Sequence, residues 1–136
     1  QTDYEVGRRI KPLVPKHRVF VNLAYELIGQ NTEAPWKFDA TYNWLSEQRY
    51  PDTSLSPEEY QRDEFTPSVA TLNLQVTKVF SPKFEVYLGG ENVSNVRQDD
   101  PIISAEDPFG PNFDTNFVYG PIFGSMYYAG LRYKLL

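Results

Sequence analysis

The chain has 136 residues, about one ordinary domain, of which 40% are hydrophobic and 15% aromatic, with 10 Tyr, 9 Phe and 2 Trp against a single Met. That much rigid apolar surface excludes a disordered chain. A net charge of -5 with no basic stripe excludes a nucleic-acid partner, and the lack of Cys excludes disulfide frameworks, thiolate zinc sites and cysteine nucleophiles.

No run approaches the ~18 to 20 consecutive apolar residues of a membrane-spanning helix. A mean hydropathy of -0.51 still leaves room for a membrane β-barrel, whose strands alternate apolar and polar residues. Residues 1–20 lack the basic start and apolar core of a signal peptide. The expectation is a protein that is not exported, or a chain that begins downstream of its true start.

One periodicity recurs, and its period is two. Val19, Val21, Leu23, Tyr25 and Leu27 alternate with Arg18, Phe20, Asn22, Ala24 and Glu26, which is the pattern of a two-faced strand. A short polar turn through Gln30 to Pro35 leads to a second strand, with Trp36, Phe38, Ala40, Tyr42 and Trp44 on one face and Lys37, Asp39, Thr41 and Asn43 on the other. A long segment from Ser46 to Pro67 follows. Within it Ser56-Pro57-Glu58-Glu59 has the form of a capping box with Pro at the first helical position, predicting a short helix near Glu58 to Asp63.

The third strand carries Ala70, Leu72, Leu74, Val76 and Phe80 on its apolar face, where Lys78 is the one charge. A three-residue hairpin of Ser81, Pro82 and Lys83 joins it to a fourth strand through Phe84, Val86 and Leu88. After a second long segment, Asn95 to Ser125, the last strand has Tyr127, Ala129, Leu131, Tyr133 and Leu135 on its apolar face. Five strands of about 9 to 13 residues exceed the ~5 to 6 residues usual in soluble sheets.

Short and long connections alternate, so the short turns are expected at one end of the sheet and the long loops at the other. The apolar-face aromatics then form two bands. Tyr25, Trp36, Phe38, Phe80, Phe84 and Tyr133 lie near the short turns, and Tyr42, Trp44 and Tyr127 lie near the long loops. Aromatic girdles flanking an aliphatic belt are the pattern of an outer-membrane barrel. A soluble β-sandwich, a binding or adhesion module whose apolar faces meet in a core, is the alternative that periodicity leaves open. A passive porin-like channel is a third.

Four segments carry a family resemblance. Val14-Pro15-Lys16-His17-Arg18 resembles the entry to a late barrel strand of TonB-dependent outer-membrane receptors. Phe65-Thr66-Pro67-Ser68, running into Thr71-Leu72-Asn73-Leu74-Gln75-Val76, is similar to their next strand. Gly90-Glu91-Asn92-Val93-Ser94-Asn95 resembles the segment ending their penultimate strand, and Tyr128 to Leu135 is similar to their terminal strand. The four occur in the family's order over nearly the whole chain. Val93 and Ser94 stand where Leu and Phe are commoner, and the chain ends in Leu135 and Leu136 where an aromatic residue is frequent.

The resemblance implies that residues 1–136 are the C-terminal portion of a large, all-β, antiparallel up-and-down transmembrane barrel, of about 22 strands with a plugged lumen. Partners implied are the remaining barrel and plug, outer-membrane lipid, and an inner-membrane energy-coupling complex reached through an N-terminal segment that nothing here resembles. The function implied is energy-coupled import, across the outer membrane of a Gram-negative bacterium, of a scarce nutrient: siderophore, haem, metal chelate, cobalamin or glycan. The C-terminus and the short turns would be periplasmic and the long loops extracellular.

No arrangement of residues supports catalysis, and no cofactor or metal is expected. His17, between Lys16 and Arg18, fits a strand entry better than a metal ligand, since a metal site needs several convergent ligands. Asp99, Asp100, Glu106, Asp107 and Asp114 match no calcium-loop spacing and suit a solvated loop. Arg18, Glu26, Lys37, Asp39, Glu85, Glu91, Arg132 and Lys134 are assigned to a lumen-facing row, where charges pair or contact a plug or solute. Glu26 and Lys37 are expected to form a cross-strand ion pair if the first hairpin sets them opposite. Lys78 can snorkel to the short-turn interface. Tyr50, Tyr60, Phe109, Phe113, Phe117 and Tyr119 are candidate ligand contacts in the long loops, or residues that close against neighbouring loops.

Overall fold

The computed structural model describes residues 11–135, so the N-terminal part of the leader reading and the terminal Leu136 lie outside the described residues. Five strands form one antiparallel sheet in chain order: β1 (Arg18–Leu27), β2 (Trp36–Leu45), β3 (Val69–Ser81), β4 (Phe84–Glu91) and β5 (Met126–Tyr133). All five expected strands are present, although β4 and β5 are shorter than expected at 8 residues each.

Register carries the period-two pattern across the whole sheet. Leu23 pairs with Ala40, Ala40 with Leu74, Leu74 with Gly90 and Gly90 with Tyr127. A slip of one residue at any pair would move a strand's whole apolar set to the other face. None occurs between β1 and β3, and the one irregularity, between Val79 and Ser81, comes at the last turn of β3.

The apolar face is bare. Leu23 is 66% exposed and Leu131 68%, values foreign to residues that face a protein core. Among the described residues the buried hydrophobic ones are Val69, Val79, Ile103 and Phe117, and none of them is on the apolar face. The strands thus make, among the described residues, a single layer, not the two facing sheets of a sandwich.

Aromatics gather along the short-turn margin of this face. Tyr25 lies opposite Phe38 with ring centroids 6.4 Å apart, and Trp36 stacks beside Phe38 at 6.5 Å. Phe80 stacks on Phe84 at 5.6 Å, and Phe84 pairs with Tyr133. Lys78 sits among these rings, its Nζ donating to the Ala34 carbonyl at 2.7 Å and lying 5.1 Å from the Trp36 ring centroid. The only charge on this face therefore reaches the turn and is satisfied there.

Two local expectations change. Ser81 pairs with Phe84, so the β3–β4 hairpin loop is the two residues Pro82 and Lys83, one fewer than expected, because Ser81 keeps its place in the ladder. The predicted helix is a single 3-10 turn, Glu58–Tyr60. Pro57 stands at its N-cap and no side chain caps it. Three residues make too few hydrogen bonds to propagate an α-helix.

Candidate functional site: the polar face and the two long loops

The polar face holds Arg18, Glu26, Lys37, Asp39, Glu85, Glu91 and Arg132 at strand positions of one parity, with Lys134 following β5 in the same phase. Glu26 does lie opposite Lys37 in register, yet the ion pairs among the described residues are formed elsewhere. The cross-strand ion pair on this face joins Arg132 to Glu85, its register partner, with the guanidinium 5.8 Å from the Tyr87 ring centroid. Glu26 and Lys37 are both exposed, so two flexible side chains gain little by ordering, whereas the Glu85 side chain is only 18% exposed.

Amide and hydroxyl groups do much of the cross-strand bonding. Asn22 Nδ2 donates to Thr41 Oγ1 at 2.8 Å, Arg18 Nε donates to Asn43 Oδ1 at 3.1 Å, and the Tyr128 hydroxyl donates to Gln75 Oε1 at 3.1 Å. Between β4 and β5 two tyrosines and two glycines interlock. Tyr87 lies over Gly130 and Tyr128 over Gly89, so that a Cβ on either glycine would strike the opposing ring. The two rings meet edge-on at 6.3 Å. An aromatic ring over a strand glycine covers backbone that the glycine leaves exposed.

The long connections, residues 46–68 and 92–125, meet at the other end of the sheet. Residues 46–68 fold back on themselves through the Arg49–Phe65 bridge and the Gln48–Thr66 backbone bond at 2.8 Å. At their start, His17 and Ser46 exchange bonds of 3.0 Å and 2.9 Å, which fixes the entry to β1. Residues 92–125 are organised by two amide side chains. Asn92, held at φ 48°, donates from Nδ2 to the Val96 carbonyl at 2.6 Å and the Phe123 carbonyl at 3.3 Å. Its Oδ1 accepts from the Val96 N–H at 3.1 Å, and its own N–H reaches Asn73 Oδ1 on β3 at 2.9 Å. Gln98, 6% exposed, donates to the Phe117 carbonyl at 2.8 Å and accepts from the Tyr119 N–H at 2.9 Å.

The two loops are locked to each other. Tyr50 packs on Phe117 at 5.7 Å and edge-on to Tyr119 at 5.8 Å, Arg62 bonds Asp100 at 2.6 Å, and Gln48 Nε2 donates to the Tyr119 carbonyl at 3.4 Å. Burial raises both tyrosine hydroxyls above their ordinary pKa, with Tyr119 adding to the effect on Tyr50 and Asp99 to that on Tyr119.

The six candidate loop aromatics therefore separate. Phe117 is 2% exposed and forms the centre of the loop lobe, with Tyr50 and Tyr119 against it. Tyr60 and Phe113 line a cleft of about 180 Å³ between the loops, beside Asp52, Thr53 and Asp114, with Phe117 and Ile103 at its base. Phe109 is 100% exposed and lines no part of the cleft. Asn92 and Gln98 were not singled out from the sequence as site residues. Asn92 does fall in the Asn-bracketed segment that carries the family resemblance, but the bonding capacity of Gln98 shows only once Phe117 and Tyr119 are brought to it.

These loops also concentrate charge. Residues 46–68 and 92–125 contain 11 of the 18 acidic residues and 3 of the 13 basic ones, a net of -8 in a chain of -5. Among the described residues no group of three or more His, Cys, Asp or Glu side chains is placed to hold a metal. Comparison with protein-family models, with curated proteins and with solved structures returned no match.

Proposed function

We propose that this chain is the C-terminal portion of a transmembrane β-barrel, that of an outer-membrane receptor of the TonB-dependent type importing a scarce nutrient. The observation that carries the membrane reading is the bare apolar face: a continuous aliphatic surface, bordered by aromatics, on a sheet with no second layer. In water such a face exceeds the apolar patch that a soluble monomer exposes. Against lipid it is the ordinary exterior of a barrel.

Dimensions support the same reading. At about 3.3 Å per residue, a strand of 10 residues such as β1 is about 33 Å long, and a tilt of about 40° leaves about 25 Å of height. That is the thickness of the lipid-facing band of an outer-membrane barrel. Among the described residues no strand lies beside the outer edges of β1 and β5, and lipid does not tolerate unpaired backbone. The rest of the barrel satisfies those edges. The polar face then lines the lumen and meets a plug, and the locked loops form part of the extracellular mouth. The receptor class itself rests on the four ordered sequence segments. Siderophore, haem, metal chelate, cobalamin and glycan are all compatible with those segments, because loops set the substrate.

The test uses the full-length protein in lipid vesicles. This chain contains no Cys, so single cysteines at Leu23, Leu88 and Leu131, and separately at Asn22, Gln75 and Glu85, report each face. The first three should be quenched by lipid-borne nitroxides and shielded from a charged thiol reagent, and the second three should not be quenched. Equal reactivity of both sets in water, without detergent, would remove the membrane reading. Loss of solute uptake on collapse of the inner-membrane proton gradient tests energy coupling.

A further inference from the structure

The cleft between the two long loops has the chemistry of a small, specific site. Its volume, about 180 Å³, is below the ~300 to 1,000 Å³ of pockets that enclose a drug-sized ligand. At ~30 Å³ per water it displaces about six waters, the bulk of one substituted six-membered ring. Both loops contribute to it, so it exists only while they stay locked.

Its walls alternate aromatic and oxygen-rich groups. Tyr60 on one loop and Phe113 on the other line it, and Asp52 and Asp114 stand on the same two loops. The backbone holds the polar groups in place. Asp114 Oδ1 accepts from the Asn116 N–H at 2.8 Å, Asp52 Oδ1 from the Ser54 N–H at 3.0 Å, and Thr53 Oγ1 from the Arg62 N–H at 2.9 Å. A carboxylate has about four lone-pair sites and donates nothing when ionised. One backbone bond on Asp114 leaves it able to accept from hydroxyls. Aromatic faces suit the C–H surfaces of a saturated ring, and carboxylates suit its hydroxyl edge.

Charge narrows the class further. The two loops carry a net -8, a field that disfavours an anion at the mouth and in the cleft. We propose that the inter-loop cleft binds a hydroxyl-rich ring bearing no negative charge, a single saccharide-like unit of the imported solute, against Tyr60 and Phe113 with its hydroxyls on Asp114. This deepens the receptor reading and rests on it for the meaning of the site.

The experiment is saturation-transfer NMR on the full-length protein in detergent micelles. The probes are the methyl α-glycosides of glucose, galactose, mannose and xylose, with glucuronate as the anionic control. At least one glycoside should bind and glucuronate should not. Asp114→Asn keeps an oxygen for the Asn116 N–H but loses the charge, and should weaken binding about tenfold or more. Tyr60→Ala should weaken it as well, and Leu55→Ala, at a fully exposed loop position off the cleft, should leave it unchanged. Binding by none of the four glycosides, equal binding of glucuronate, or indifference to both cleft variants would overturn the proposal. The cysteine mapping of the apolar face separates the two readings. A lipid-embedded face with no glycoside binding removes the cleft assignment alone. Glycoside binding by a protein whose apolar face never meets lipid removes the receptor reading and leaves the cleft.

Discussion

Asn92 shows why an asparagine, and not merely a polar residue, follows β4. Its positive φ suits Asn better than most side chains. Its amide also donates and accepts at once, tying Val96 and Phe123 to the end of the strand. Asn92→Gly keeps the backbone freedom and deletes the bonds, so the two contributions separate. The expected result is a loss of about 1 to 3 kcal/mol of local stability, read as faster amide exchange at Val96. Asn92→Ala should lose more, since Ala also resists that φ. The interlocked tyrosines and glycines give a second test at this scale. Gly89→Ala places a methyl group where the Tyr128 ring lies and should cost about 1 to 3 kcal/mol in chemical unfolding. In the background of Tyr128→Ala the same change should cost much less, because the obstructing ring is gone.

Among the elements, β3 and the loop lobe behave differently because their stabilising partners differ. β3 is paired on both sides and keeps its register through the ladder. The lobe depends on side chains, above all the Tyr50, Phe117 and Tyr119 cluster. Burial raises both hydroxyls, so the folded lobe holds its phenolic protons to higher pH than the unfolded chain does. The resulting stability is complete below the ordinary tyrosine pKa of about 10 and is lost as pH rises through the raised values. Protection factors in the loops should therefore fall above about pH 10 while those in β3 persist. Tyr50→Phe with Tyr119→Phe should abolish that fall.

For the whole molecule, the decisive property is a sheet with two unlike faces and no core between them. Leu88, 61% exposed at mid-strand on the apolar face, is the position at which solvent and lipid make opposite demands. If the face meets lipid as proposed, Leu88→Lys should cost about 2 to 4 kcal/mol in a bilayer, seen as reduced assembly of the full-length protein. On a water-facing surface the same change would be nearly neutral. The sequence by itself determined this two-faced sheet, because alternation is a local property: each strand's parity is written in ten or so consecutive residues, and loop-closure entropy grows only slowly with length, so even the long connections allow chain-order pairing. It also marked Lys78 as the exception on the apolar face and placed the aromatics in two bands. Only the tertiary structure decided that Arg132, and not Lys37, makes the cross-strand ion pair, that Phe117 is the buried centre of the loop lobe, and that Asn92 and Gln98 organise the loops. Those outcomes depend largely on residues distant in sequence, such as Gln98 with Phe117, 19 positions apart, and Tyr50 with Phe117, 67 apart. No periodicity encodes such meetings. They follow from the space left once the strands have set the loop ends side by side.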